Sequence, residues 1–286
     1  MRKRIVGFME QEVPYEEADI VIFGAGMDAT TSYRPGTRMA STTMRQEFYG
    51  IETYSPYQRK DLTDCAIFDA GDLDIPFGNV EASLSLIEKM SYQILQDDKI
   101  PCMIGGEHLV SLGVMRSIIK KYPDVHVIHL DAHCDLRDDY LGEKLSHACV
   151  VRRISELMES QRIHQFGIRS GDKDEFQFGE KHCDFHPFHL HDMKEVCASL
   201  KDVPVYITLD LDVLDPSIFC GTGTPEPGGL TFQELLDGLL SLKDLSIVGF
   251  DVCELSPVYD ASGVSTTCAN KILRELLLII GGKENE

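Results

Sequence analysis

Short apolar runs alternate along the chain with longer segments whose apolar residues recur at helical spacing. Apolar runs bounded by turn-forming or polar residues predict buried strands. The predicted strands are Ala18–Phe23, Cys65–Phe68, Ile100–Ile104, Val125–Ile128, Ile163–Ile168, Val203–Leu209 and Leu245–Val252. The predicted helices are Arg38–Tyr49, Glu81–Leu95 with Asn79 as N-cap, Leu109–Tyr122, a helix capped by Ser146, a helix beginning at Thr231, and Val264–Ile280. This alternation predicts one α/β domain over residues 1–286, with a mostly parallel sheet and helices on both faces.

One predicted strand runs directly into residues that can hold a metal. Val125–Ile128 is followed by His-Leu-Asp-Ala-His-Cys-Asp, in which Asp131, His133 and Asp135 alternate. On an extended chain these three side chains would share one face. Two carboxylates and an imidazole at one place repel and desolvate one another unless a cation lies between them. The stretch therefore predicts a metal site, and a solvent-exposed strand end is the alternative.

Other predicted strands end in the same way. They lead to His108, to the alternating pair Asp210 and Asp212, and to Glu254. Because parallel strands end along one edge of a sheet, all these side chains are expected to meet in a single crevice. The first six candidates include four carboxylates, whose charges balance two divalent cations. Oxygen and imidazole ligands without a thiolate favour manganese, with iron or cobalt as alternatives.

The charge of the chain narrows the classes of partner. The sequence has 27 Lys and Arg against 47 Asp and Glu, for a formal net charge of -20. Such a surface repels phosphate backbones and anionic lipid, so nucleic-acid and membrane-surface roles are disfavoured, and cationic ligands are attracted. The basic start Met1–Arg4 is not followed by the apolar core of a signal peptide. Nine scattered cysteines predict reduced thiols and a cytoplasmic protein.

Two further patterns resemble a nucleotide-binding site and a second metal site, but in each case we expect another role. Gly24–Ala29 matches the dinucleotide-binding pattern G-x-G-x-x-A, but Pro35 and Gly36 break the helix that should follow, so a glycine turn is expected. A histidine-rich segment lies in the polar region 172–191, to which we assign no secondary structure. Its spacing fits no zinc motif, so a surface role is expected. The residues are His182, Cys183, His186, His189 and His191.

Longer motifs around the candidate ligands resemble those of the ureohydrolases, the family of arginases and agmatinases. They are G-G-E-H at Gly105–His108, D-A-H-C-D at Asp131–Asp135, S-H-A at Ser146–Ala148, D-L-D-V-L-D-P at Asp210–Pro216, G-T-G-T-P-E-P-G-G-L-T at Gly221–Thr231 and D-V-C-E-L-S-P at Asp251–Pro257. The resemblance extends from the segment Ser32–Gly36 to the C-terminal helix. Arginases commonly carry serine where Leu109 follows the first motif, so the chain is more similar to the agmatinases.

The resemblance implies a three-layer α/β/α arginase-like fold and two manganese ions per chain. The implied ligands are His108, Asp131, His133, Asp135, Asp210 and Asp212, with Asp131 and Asp210 bridging the metals. The implied reaction is attack of a metal-bridging hydroxide on a guanidinium carbon, giving urea and an amine. His147 resembles the family's proton-shuttle histidine, although a locally bonded histidine at a helix start is the alternative. The family also implies a trimer or hexamer.

The substrate is expected to be a small cationic guanidino compound. Glu254 can hold a guanidinium through a charge-assisted pair, and His147 would lie beside it. The acidic residues of the loop 136–145, Asp138 above all, can attract a distal ammonium, but solvated surface charges are the alternative. Agmatine, hydrolysed to putrescine and urea, is the expected substrate. The alternatives are guanidinobutyrate, a guanidino-polyamine, arginine, a single-metal deacetylase of the same fold, or an inactive scaffold.

Overall fold

A single twisted sheet organises the protein. The computed structural model describes residues 7–8 and 13–281, so the basic start Met1–Arg4 lies outside the described residues. Within the described part, eight parallel strands form the sheet in the order β4-β1-β5-β10-β9-β6-β7-β8. They are β1 (Ile20–Ala25), β4 (Ile67–Asp72), β5 (Ile100–Gly105), β6 (His126–Leu130), β7 (Ile163–Phe166), β8 (Asp184–His186), β9 (Pro204–Asp210) and β10 (Ser246–Cys253). The short strands β2 (Tyr54–Ser55) and β3 (Lys60–Asp61) form a separate antiparallel pair.

Helices cover both faces of the sheet. They are α1 (Ala40–Glu47), α2 (Val80–Gln96), α3 (Ser111–Lys121), α4 (Val150–Ser155), α5 (Lys173–His182), α6 (Met193–Ser199), α7 (Phe232–Leu240) and α8 (Val264–Gly281). One apolar core lies between the sheet and α1, α6, α7 and α8, and a second lies between the sheet and α2, α3 and α4. The predicted three-layer α/β/α architecture with a parallel sheet is therefore confirmed. No helix within the described residues is long and apolar enough to cross a bilayer.

The local predictions succeed where an apolar pattern is strong. Asn79 caps α2 by accepting from the Ala82 amide, as predicted. The predicted strand Cys65–Phe68 is displaced, because β4 begins at Ile67 and continues through the polar residues to Asp72. The prediction that Ser146 caps a helix with its side chain is wrong, since its buried Oγ makes no hydrogen bond. The unassigned region 172–191 contains α5 and β8.

The strand order brings the candidate residues together. β5, β10, β9 and β6 are consecutive neighbours at the centre of the sheet. Their carboxyl ends lead to His108, Glu254, Asp210 and Asp131 respectively. Because all four strands are parallel, these residues lie at one edge, where open α/β sheets bind ligands.

Candidate metal centre

Six predicted ligands form one buried cluster at this edge. His108 Nδ1 lies 3.0 Å from Asp131 Oδ2, 3.3 Å from Asp135 Oδ2 and 3.3 Å from Asp210 Oδ2. On the other side of Asp131, His133 Nδ1 lies 3.5 Å from Asp131 Oδ1 and 3.0 Å from Asp212 Oδ2. Each oxygen of Asp131 therefore faces a different histidine, which divides the cluster into two adjoining positions.

The backbone bends at Ala132 and pairs again with Ser170 at His133, so the three side chains do not lie on one continuous strand. β6 ends at Leu130, and the His133 amide then folds back to donate to Asp131 Oδ1 at 2.6 Å. Asp135 has a φ of +53°, a left-handed conformation. Asp212 likewise lies in a 3₁₀ turn after β9, and its amide donates to Asp210 Oδ1 at 2.8 Å. The side chains meet as predicted, but through two tight turns.

The donor set fits divalent cations. His108 Nδ1 and Asp212 Oδ2 are buried, and neither makes a hydrogen bond. The other nitrogen of His108, Nε2, lies 2.8 Å from Thr208 Oγ1, and this hydroxyl donates to Asp251 Oδ1 at 2.8 Å. The hydroxyl therefore accepts from Nε2–H, which leaves the Nδ1 lone pair directed at the carboxylates. Buried unpaired atoms of this kind are ligands that a metal would satisfy.

His129 also contacts the cluster, although the sequence suggested no role for it. Its Nε2 lies 2.9 Å from Asp131 Oδ2, and its Nδ1 accepts from Gln165 Nε2 at 3.0 Å. The same amide nitrogen donates to the Cys134 carbonyl oxygen, so the proton of His129 resides on Nε2. His129 thus donates a hydrogen bond to Asp131 and holds that carboxylate in place.

The ionisation of the cluster reflects its burial. Burial works to lower the pKa of His108, but the carboxylates of Asp131, Asp135 and Asp210 outweigh it and raise that pKa well above its usual value. Burial, with help from Asp212 and Asp131, raises the pKa of Asp210 well above its usual value. Both shifts favour proton binding in the metal-free cluster, which reduces its negative charge. Divalent cations replace such protons when they bind.

Glu254 is built into the same cluster. Burial, with Asp212 as a second cause, raises the pKa of its carboxyl well above the usual value. Its Oε1 accepts from the His108 amide at 2.8 Å, and its own amide donates to the Gly106 carbonyl. A Cβ built on Gly223 would lie 3.7 Å from Glu254 Oε2, so this oxygen points towards the loop after β9.

A cleft of about 230 Å³ opens beside the cluster. It is lined by Ser32, His133, Asp135, Arg137, Tyr140, His147, Ala148, Ser170, Gly171, Glu175 and Thr224. His147 Nε2 lies 3.1 Å from Ser32 Oγ, and the His147 amide donates to Thr30 Oγ1 at 3.0 Å. Burial lowers the pKa of the His147 imidazole, and His133 and His108 add to that effect against Asp135. His147 is therefore placed where the sequence predicted it, next to two candidate ligands.

Comparisons with known proteins agree with this geometry. The model of the arginase family matches residues 18–279. The chain is 44% identical to the agmatinase of Bacillus cereus over 275 residues, which cover 95% of each chain. A Clostridium difficile protein of known structure is 50% identical, with a TM-score of 0.92 over 94% of this chain and 99% of that one. The agmatine ureohydrolase of Thermoplasma volcanium is 32% identical, with a TM-score of 0.87 over 97% and 94%. The chain belongs to the arginase family.

Membership of the arginase family confirms the predicted resemblance and the arginase-like fold. The glycines of the segment Gly24–Ala29 pack closely against neighbouring residues. Glycine is required at Gly24 and Gly26 by close packing, since a Cβ would overlap Asp72 and the Arg38 carbonyl respectively. Among the residues that the structure describes, the groups able to hold a metal all lie around Asp131. His186 instead pairs with Asp184 and Asp192 at β8, the last strand in the sheet order.

Asp138 does not reach the cleft of this arginase-family site. Its carboxylate is largely exposed and lies 3.0 Å from the Arg153 guanidinium, and it is absent from the cleft lining. The arginine fixes it on the protein surface, so the alternative of a solvated loop charge fits the structure. Within the loop 136–145, Arg137 and Tyr140 line the cleft, and Glu175 of α5 lines it as well.

The contact between Thr208 and His108 is expected to tune metal affinity. Thr208→Val keeps the shape of the side chain but removes the acceptor for Nε2–H, so the imidazole loses its fixed orientation. We expect metal affinity, measured by competition with a chelator, to fall about 10- to 100-fold. Thr208→Ser retains the hydroxyl and is the matched control. Equal affinities for the valine and serine variants would contradict this role for Thr208.

Proposed function

We propose that this arginase-family protein is a binuclear-manganese agmatinase, which hydrolyses agmatine to putrescine and urea. The observation that carries the proposal is the buried cluster around Asp131. One carboxylate oxygen of Asp131 faces His108, and the other faces His133. The similarity to agmatinases over nearly the whole chain supports the choice of reaction.

In this proposal the metals lie between the two histidines and the four aspartates. The residues that would hold them are His108, Asp131, His133, Asp135, Asp210 and Asp212, and Asp131 and Asp210 would contribute to both metals. Two divalent cations held by these residues would act as Lewis acids and would supply a nucleophile derived from water at neutral pH. Manganese is favoured because carboxylate oxygens outnumber imidazoles and no thiolate is present among the ligands.

Glu254 is proposed to hold the guanidinium of the substrate. Its Oε1 accepts from the His108 amide, and its Oε2 would accept a charge-assisted hydrogen bond from the guanidinium. A cationic substrate beside it favours the ionised form of this buried group. Because Glu254 is tied to a ligand residue, the guanidinium carbon is held at a fixed place relative to the metal cluster.

His147 is proposed to bind the substrate and to protonate the leaving amine. Its imidazole lines the cleft together with the candidate ligands His133 and Asp135. An imidazole is suited to proton transfer near neutral pH. Asp138 drops out of the proposed site because its carboxylate pairs with Arg153.

The substrate preference distinguishes an agmatinase from the other ureohydrolases of the family. We expect manganese-loaded protein to release urea from agmatine with a higher kcat/KM than from guanidinobutyrate or arginine, measured side by side with the same batch. A preference for arginine or guanidinobutyrate would overturn the assignment to agmatine and leave the ureohydrolase reaction intact. Manganese bound without urea release from any of the three would point to an inactive scaffold.

Further features of the protein follow from the same proposal. A single ureohydrolase domain over residues 1–286, a cytoplasmic location and a homo-oligomer, either trimer or hexamer, are proposed. All nine cysteines are free thiols, which supports a reducing compartment. The strongly acidic surface supports a cationic small-molecule substrate and neither nucleic acid nor membrane as a partner.

A further inference from the structure

The loop after β1 contacts both the backbone and the side chain of His147. Its backbone amide donates to Thr30 Oγ1 at 3.0 Å, and its ring Nε2 lies 3.1 Å from Ser32 Oγ. Both contacts cross more than a hundred residues of sequence, so they are tertiary contacts that fix His147 relative to the loop after β1. The loop therefore determines both where the residue sits and how its ring is turned.

The loop itself is anchored to the metal cluster. Glu107 is fully buried, and its Oε2 accepts from the Thr30 amide at 2.8 Å and from Thr31 Oγ1 at 3.2 Å. Glu107 immediately precedes the candidate ligand His108. A continuous set of hydrogen bonds thus connects the end of β5 to Ser32 and His147.

A serine hydroxyl suits this contact in a way that few side chains do. A histidine that transfers protons alternates between an imidazole with an acceptor lone pair and an imidazolium with a donor N–H. A hydroxyl can donate to the first and accept from the second by rotating its hydrogen alone. An alanine makes neither bond, and a carboxylate accepts only. Ser32 is exposed at the cleft, so water can exchange protons with the pair from the other side.

We propose that Ser32 is a positioning residue for His147, which it holds in one orientation and one set of hydrogen bonds through both protonation states. The inference rests on the proposed role of His147 in protonating the leaving amine. Ser32 acts on the proton-transfer step through the imidazole and is not itself assigned a contact with substrate. Loss of its hydroxyl should therefore slow turnover more than it weakens binding.

Kinetics of Ser32→Ala and Ser32→Thr test the inference. For Ser32→Ala we expect kcat for urea release to fall about tenfold, the order of one lost orienting hydrogen bond, with KM changed by no more than about twofold. Ser32→Thr retains the hydroxyl and should recover most of kcat. Ser85→Ala removes an exposed serine hydroxyl on α2 and should match the parent protein. Equal kcat for Ser32→Ala and the parent, or a threonine variant as slow as the alanine variant, would overturn the inference.

A spectroscopic readout separates this inference from the proposed function. In metal-free protein labelled with ¹⁵N-histidine, the His147 ring signals, assigned by their loss in His147→Gln, report the tautomer. We expect Ser32→Ala to move these two signals towards the average of both tautomers and Ser32→Thr to leave them in place. Unmoved signals in Ser32→Ala would contradict the positioning role even if the protein is fully active. Parent protein that releases no urea, but whose signals move as expected, would contradict only the proposed reaction.

Discussion

Asp210→Asn is expected to leave the protein with at least one metal fewer per chain and to lower kcat/KM for urea release at least about a thousandfold, roughly 4 kcal/mol. The asparagine keeps the shape of the side chain and still accepts from the Asp212 amide, so the turn after β9 should survive. What is lost is a buried negative charge that lies 3.3 Å from His108 and beside Asp131 and Asp212. That charge is needed to balance two divalent cations.

Elemental analysis after removal of free metal checks the metal count, and a urea assay checks the rate. Asp244→Asn is the matched control, because it removes an exposed carboxylate that pairs with Lys201. An exposed pair of this kind contributes little to stability, so its variant should keep both metals and full activity. Two metals retained by Asp210→Asn, in protein that unfolds at the temperature of the control, would falsify the bridging role.

Glu254→Gln should separate substrate binding from metal binding. The glutamine oxygen can still accept from the His108 amide, so both metals should remain. Loss of the charge removes the partner of the substrate guanidinium at a buried site, and kcat/KM is expected to fall about a hundred- to a thousandfold, roughly 3–4 kcal/mol. Full metal content distinguishes this variant from Asp210→Asn, which is expected to lose metal as well as activity.

The measurement is a set of urea-release curves alongside elemental analysis of the same samples. Glu226→Gln provides a control, since Glu226 precedes Pro227 in the loop after β9 and accepts from Arg169 through its backbone carbonyl, which the substitution keeps. Near-normal kcat/KM in Glu254→Gln would show that the guanidinium is held elsewhere. Loss of metal from this variant would instead show that the main role of Glu254 is to hold the candidate ligand His108 in place.

The sheet and the identity of the cluster were predictable from the sequence, and the reasons are physical. Strands buried on both faces, such as β9 and β10, need nearly continuous apolar runs, and polar residues directly after such runs stand out. The path of the backbone beyond them was not predictable. Asp131 and Asp135 alternate as they would on an extended chain, yet a turn with a left-handed residue brings them together. Side-chain spacing alone does not distinguish the two arrangements.

Residues that act through others were harder to find. Thr208 and His129 are polar residues within mostly apolar strands. Polar residues without a functional role also occur in such strands. The contacts of these two residues with His108 and Asp131 are visible only in the structure. For Asp138, the sequence shows a charge in a loop but not the arginine that binds it. The start of α5 did carry a signal, because Asp172 and Glu175 have capping-box spacing.

Two residues of the proposed site have backbone conformations that suit glycine better. Asp135 has a φ of +53° and Glu254 a φ of +65°. Aspartate tolerates this region, but for glutamate it costs about 1–2 kcal/mol. Glu254→Gly would therefore relax the main chain while removing the proposed guanidinium partner. Selection of variants for thermostability alone would accept such a change. A screen for more stable variants of this enzyme must therefore measure activity in every round.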